Sequence, residues 1–398
     1  MAVEHDWTAL PDHILINIFS HLPLHDRCTA ALACTTWSGC FDSPYLWRKF
    51  IFQFFKEEDA RQLMCLTKHG SQLRDVNIVL NQKSQQNREN ACTVLSSLAR
   101  LEERRLQSIS IQFTTENPLF FQGMEFLYGL AELFGPPDPQ IQMLNTLYEV
   151  DLSGLSITLD DILFNLLAIH HNETLHSVNL QNSPLCCRVT PECILNLVQK
   201  CRKLTSLSMH YKSMSEGVLE EFAKKDRKPL KMLSLACRRE EKYHKPISAA
   251  SWEKLVDKLP NFQVKFFFDH TIERHRIATI LHPHIPVIKL CMRTLTELHE
   301  EVAMTAEYYH ETLEHFVITT KGTDRLQQAL LNLVEISPRL KVLHCYCALD
   351  DNTISRVKEL CPNLEKFTLK TTDEFNAMMP SLIGREARSV AQNQQIVY

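Results

Sequence analysis

A histidine directly beside a cysteine, His344-Cys345, is an arrangement that can activate a thiol, because only the thiolate attacks and a neighbouring base or cation favours it. Cys291 is a second candidate by composition. Both occupy strand-like positions of a repeat described below, where a buried, structural role is the stronger reading. His282-Pro283-His284 offers two imidazoles to a metal, but no recognisable third ligand stands nearby, so it reads as a loop. The close cysteine pairs, Cys186-Cys187 and Cys345/Cys347, do not make two CxxC pairs, and the 14 cysteines are otherwise scattered. The strings GxSxG, HExxH, GxGxxG and GxxxxGK[ST] are absent, and glycine is scarce at nine residues. No catalytic, cofactor-binding or metal-binding residue is assigned, and the chain is read as a non-enzyme that needs no cofactor.

With 398 residues, 44% of them apolar, the chain can bury one large core or two ordinary ones. Its formal net charge of −4 argues against a nucleic-acid partner, which calls for a basic excess. Met1 to Leu10 contain Glu4, His5 and Asp6 and no apolar run, so they do not read as a signal peptide. No run of about eighteen apolar residues is present, which argues against a membrane-spanning helix. The cysteines are therefore expected in a reducing compartment, cytosol or nucleus, as free thiols packing like small hydrophobes.

What must position any site are two kinds of element. Trp7 to Phe50 reads as three short helices. Pro11 opens the first, which carries Ile14, Leu15, Ile18, Phe19 and Leu22 at helical spacing and Ile16 on a second face, and Pro23 stops it. The second runs from about His25 to Trp37. The third is Ser43 to Trp47, with Ser43 as its cap. So small a unit cannot bury this much apolar surface alone. Either the rest of the chain covers the excess, or a second protein does, by helix-in-groove packing.

After this unit the chain repeats itself in the form Leu-x-x-φ-x-φ, a short strand, followed by a loop and an amphipathic helix. Clear instances begin at Leu147, Leu175, Leu204, Leu230, Leu313, Leu340 and Leu364, with intervals of 24 to 29 residues between neighbouring ones, the leucine-rich-repeat range. Leu73 and Leu106 open weaker ones; between Leu259 and Met292, Phe262 to Phe268 and Val287 to Leu290 are strand-like but off-register. Asp160–Ile169, Pro191–Lys200, Glu216–Lys224, Ser251–Lys258 and Ile354–Leu360 read as the helices. The fold expected is an α/β solenoid, a three-helix unit followed by a curved horseshoe with the strands on its concave side. Strand alternation then exposes Glu149, Asp151, Ser177, Asn179, Ser206, Ser208 and His210 there, and later His315, Val342, His344, Tyr346, Lys366, Thr368 and Lys370. The surface drifts from acidic to basic along the arch, which is either ordinary solvated variation or a feature of the binding face. The spacing of 41 residues from Leu106 to Leu147 marks an insertion at about 114–146, with Phe120-Phe121, a helix-like Met124–Phe134 and the turn Gly135 to Pro139. It reads either as a partner-contact loop or as a packed helix. Thr371 to Tyr398 lose the pattern and read as a partly disordered tail.

The string Leu-Pro-x-x-Ile-Leu-x-x-Ile-Phe-x-x-Leu-x-Leu-x-Asp-Arg from Leu10 to Arg27, then Ala33-Cys34-x-x-Trp37 and Leu46-Trp47, resembles an F-box over its full length. With the repeats, the chain is similar to the F-box/leucine-rich-repeat family, divided as F-box 1–50, solenoid 51–370 and tail 371–398. Ala33 departs mildly from the valine frequent there. The resemblance implies a protein that binds the small Skp adaptor, and through it a cullin–RING ligase, while the solenoid holds a protein substrate for ubiquitination and proteasomal degradation. It implies an adaptor-facing set of Leu10, Pro11, Ile14, Leu15, Ile18, Phe19, Leu22, Leu24, Trp37, Leu46 and Trp47, of which some will pack inside the unit instead. The substrate face would draw on Glu149, Asp151, Asn179, His210, His315, His344, Tyr346, Lys366 and Lys370. A rival is a repeat scaffold that binds the adaptor without acting in ubiquitination. Neither a nucleic acid nor a membrane is expected as a partner.

Overall fold

The structure, a computed structural model, describes residues 10–115, 123–135, 146–182, 187–239, 244–371 and 374. Three helices come first: α1 (Asp12–Ser20), α2 (Leu24–Ala31) and α3 (Thr35–Phe41). Two boundaries differ from expectation. The helix expected from His25 to Trp37 breaks at Leu32 and restarts after an extended Cys34. Ser43 to Trp47 form turns rather than a helix, closed by the Leu46 N–H donating to the Ser43 carbonyl at 3.0 Å. Five residues complete barely one helical turn, and burial of Leu46 and Trp47 decides their geometry instead.

A parallel sheet follows at once. Its strands are β1 (Lys49–Phe54), β2 (Asp75–Leu80), β3 (Ser108–Phe113), β4 (Glu149–Asp151), β5 (Ser177–Asn179), β6 (Ser206–His210), β7 (Met232–Cys237), β8 (Gln263–Phe268), β9 (Val287–Met292), β10 (His315–Thr319), β11 (Val342–Leu349) and β12 (Lys366–Thr371), and each pairs with the next in chain order. Strands that neighbour each other in sequence and in space, each with its own return segment, make a solenoid. The return helices include α4 (Met64–His69), α5 (Gln85–Ala99), α6 (Met124–Phe134), α7 (Asp161–His170), α8 (Pro191–Lys200), α9 (Glu216–Phe222), α10 (Ala249–Lys258), α11 (Arg274–Ile280), α12 (His299–Tyr309), α13 (Asp324–Ile336) and α14 (Asp351–Leu360).

Alternation does the positioning. In β2 and β3 every second residue is buried, so Val76, Ile78 and Leu80 stack on Ile109, Ile111 and Phe113 in register. One continuous apolar core runs from Leu15 to Leu369. Six of the return helices start at the same kind of signal: the side chains of Ser84, Asp160, Thr190, Ser248, Thr323 and Asp350 each accept a hydrogen bond from a backbone N–H of the first turn. Each such cap contributes about 1 kcal/mol.

The solenoid begins earlier than expected. β1 lies within or against the segment assigned to the F-box, and its Phe50, Phe52 and Phe54 are buried. The off-register stretch has a local cause: Val264 pairs with Val287 but Lys265 with Lys289, so Ile288 is an extra residue that bulges the ladder. The expected insertion contains an ordinary return helix, for α6 packs between α5 and α7 with Phe126, Leu130 and Phe134 fully buried. Phe120-Phe121, Pro136 to Pro139 and, apart from Glu374, the tail after Thr371 lie outside the described residues, as does Cys186.

Candidate docking surfaces

The structure sorts the expected adaptor-facing set into two groups. Leu15 and Phe19 are 1% exposed, and Leu46 and Trp47 are buried too, so these four hold the helical unit together and fasten it to the solenoid. Ile14 and Ile18, one turn apart on α1, are 39% and 41% exposed, and Leu24 at the start of α2 is 37% exposed. Pro11 is exposed as well, while Leu10, Leu22 and Trp37 are half-buried. An edge-on contact of Phe19 with Trp37, at 5.8 Å between centroids, fixes α1 against α3. Arg27 fixes α1 against α2 and the turn: its guanidinium donates to the carbonyls of Leu22 at 2.7 Å, Leu46 at 3.3 Å and Ser20 at 3.4 Å. The isoleucine ridge is thus held on a braced unit.

Two exposed apolar side chains of the helical unit lie outside the expected adaptor-facing set. Leu32, at the end of α2, is 86% exposed. Tyr45 is exposed in the turn, with the Arg48 guanidinium over its ring at 5.3 Å. Neither belongs to a periodic stripe, so nothing in spacing marks them.

On the concave side the expected substrate residues fall into distinct settings. Glu149 is exposed; burial, and then the neighbouring Asp151 and Asp75, push its pKa up. The Asp151 carboxylate accepts from the Ser153 N–H at 2.9 Å, and the Asn179 side-chain oxygen from the Gln181 N–H at 3.2 Å, so both cap the turns that end their own strands. His210 is corrected: it is buried, beside Asn182 at 3.5 Å, and burial pushes its pKa down to about 3. A neutral, covered imidazole at the end of β6 is a core residue. Val342 is also buried.

The late repeats keep a basic surface. His315 is half-buried, Lys366 is exposed and Lys370 reaches Glu374 at 3.9 Å. His344 shares a hydrogen bond with the Thr368 hydroxyl at 2.8 Å and lies near-parallel to Tyr346, 6.3 Å between centroids. Three cations of this surface were missed because they sit in the off-register stretch. Lys265 and Lys289 are register partners, Lys289 is in turn the partner of His315, and Arg293 follows β9. Burial lowers the pKa of Lys289, with Lys265 and Arg293 adding to the effect.

The candidate thiols are structural. Burial pushes the Cys345 thiol well above its usual range and takes Cys193, Cys201 and Cys347 up to about 12, so none is a thiolate at neutral pH. Cys291 is buried in β9. His282 Nε2 meets the Ile247 carbonyl at 3.1 Å. Among the described residues no group of three His, Cys, Asp or Glu side chains is arranged to hold a metal ion, and no helix is long and apolar enough to cross a membrane.

Residues 7–53 match the F-box-like family. The chain is 27% identical over 376 residues to F-box/LRR-repeat protein 8 of Homo sapiens, covering 94% of this chain and 98% of the human protein. Against the protein of that name from Mus musculus, identity is 26% over 375 residues, covering 94% and 98%. F-box/LRR-repeat protein 21 of Mus musculus is 27% identical over 285 residues, covering 67% of this chain and 61% of that protein.

Proposed function

We propose, from the premise that the chain belongs to the F-box/leucine-rich-repeat family, that it is the substrate-recognition subunit of a Skp–cullin–F-box ubiquitin ligase. In this reading the N-terminal helices bind the Skp adaptor. The concave face holds a protein client for ubiquitination and proteasomal degradation, in the cytosol or nucleus. The observation that carries it is the exposed ridge of Ile14 and Ile18 beside Leu24, on a unit whose opposite apolar face, Leu15 and Phe19, is already used. A ridge with helical spacing that the described residues leave exposed suits a groove on a second protein.

The role is positional. One unbroken core links the helical unit to every repeat, so a client held on the arch keeps a fixed height and orientation relative to whatever the helices bind. Holding two reactants together raises their effective concentration without any chemistry by the holder.

The test is co-purification from cells with Ile14→Glu and Ile18→Glu introduced together. Deleting the whole helical unit would also remove Trp47 from the first repeat, so point changes are the cleaner probe. Recovery of the Skp adaptor and cullin with the natural chain, and of neither with the variant, is the expected result. Adaptor without cullin would make the protein a repeat scaffold; adaptor retained by the variant would remove the proposed docking surface.

A further inference from the structure

The late concave face gathers cations without gathering counter-charge. Lys265 on β8 and Lys289 on β9 are register partners, which sets neighbouring backbones about 4.8 Å apart, and Lys289 is in turn the partner of His315 on β10, a neutral imidazole in the row because burial and then Lys289 lower its pKa. Lys366 on β12 continues the row as the partner of Val342, and Arg293 stands just past the end of β9. Four carboxylates of this region are engaged elsewhere: Asp269 with Arg238, Glu314 with Lys341, Glu300 and Glu301 with Arg274. Among the described residues no carboxylate pairs with Lys265, Lys289, Arg293 or Lys366; Lys289 lies instead over the ring of Phe267, its Nζ 5.3 Å from the centroid. Val317 and Val342 are buried between the cations, so the floor of the row is apolar. Charges beside an apolar floor act more strongly on a ligand than they would in open water.

We propose that this row is the seat of the client's recognition segment, and that the segment is an extended stretch of aspartate and glutamate side chains lying across β8 to β12. The inference rests on the receptor reading above and names the chemistry its client must present. The five strands span roughly 19 Å at the spacing of a sheet, too far for one anionic group to meet every cation. Alternate side chains of an extended peptide project to one side about 7 Å apart, so three or four carboxylates cover the row. Lysine predominates in it, and lysine meets anions as a point charge, whereas a single phosphate centre is better gripped by arginine forks. The earlier half of the arch, with Asp75, Glu149 and Asp151, repels the same segment and so fixes which end of the horseshoe it occupies.

The experiment is fluorescence anisotropy on the full chain with four labelled probes. They are a ten-residue peptide alternating glutamate and serine, its glutamine counterpart, the counterpart carrying phosphoserine in place of glutamate, and a single-stranded RNA of ten nucleotides. The glutamate peptide should bind, the glutamine peptide should not, and binding should weaken as salt rises. Lys265→Gln with Lys366→Gln should weaken it by about tenfold while leaving the thermal transition in place. Equal binding of the glutamate and glutamine peptides, indifference to the two lysine changes, or binding of the phosphopeptide or RNA alone would each overturn the proposal. Adaptor binding by the same protein is measured separately. Adaptor binding without glutamate-peptide binding defeats this inference alone, and loss of adaptor binding defeats the receptor reading.

Discussion

Trp47 lies flat on His69, with ring centroids 3.8 Å apart and planes within 8° of parallel. Trp47 comes from the turn that closes the helical unit, and His69 from the last residue of α4 in the first repeat. Phe41 meets the same indole edge-on at 5.1 Å, Phe50 of β1 stacks on it at 5.9 Å, and its N–H donates to the Phe41 carbonyl at 2.8 Å. One side chain thus belongs to both parts of the molecule.

Trp47→Ala should therefore do more than weaken the helical unit. Removing a buried tryptophan costs about 3–5 kcal/mol. It should also uncouple the two parts, so that the single unfolding transition expected of the natural chain splits into two in a urea titration followed by circular dichroism. A variant that still unfolds in one step would show that the joint is held elsewhere.

Acid should destabilise the fold through buried histidines. Burial lowers the pKa of His171 and of His210 from 6.5 to about 3. Below pH 6.5 the unfolded chain therefore binds protons that the fold does not, so stability is complete above that pH and is lost as pH falls from 6.5 towards 3. Each histidine contributes up to about 1.4 kcal/mol of loss per pH unit in that window. Between pH 7 and 5 the urea midpoint should drop in the natural chain, and His171→Leu should make that drop visibly shallower. An unchanged slope would place the proton uptake on other groups.

Backbone approach, rather than side-chain packing, limits one turn. The Gly154 carbonyl accepts from the Phe113 N–H at 3.0 Å, and a Cβ at this position would stand 2.6 Å from the Ile111 carbonyl oxygen. Gly154→Ala should cost about 1–3 kcal/mol, because backbone cannot give way as a flexible side chain does. Gly39, inside α3, has nothing within 4 Å of an added Cβ, so Gly39→Ala should be neutral or stabilising by up to about 1 kcal/mol. The denaturant midpoint should fall for Gly154→Ala and hold level or rise for Gly39→Ala.

How much of this was legible in the chain depended on the range of the interaction. Leu147, Val150 and Leu152 announce a strand because burial alternates along it, and the same holds from Leu175 to Leu235. β1 was hidden because its phenylalanines continue the apolar residues of the preceding motif. α11 and α12 were missed beside the bulge at Ile288, where register slips by one residue and the period is interrupted. The helix α6 was seen, but its place as a regular repeat helix depended on contacts with α5 and α7 that no spacing encodes. For the site, the motif supplied the right residues without their facing. Ile14 and Leu15 are both apolar neighbours on α1, and only the packing of α1 against the rest of the unit, α3 included, decides that Leu15 is covered and Ile14 is not. The row of Lys265, Lys289 and His315 is likewise a product of strand register, since the residues are far apart in the chain.

The most direct test of the central claim is calorimetric titration of the purified full chain with purified Skp adaptor. The natural chain should bind, Ile14→Glu with Ile18→Glu should bind at least about a hundredfold more weakly with its thermal transition unmoved, and Leu15→Ala should instead lower that transition by the equivalent of about 2–5 kcal/mol. Adaptor binding that survives both glutamates on a folded chain would contradict the account, because the exposed ridge of α1 would then have no partner to meet.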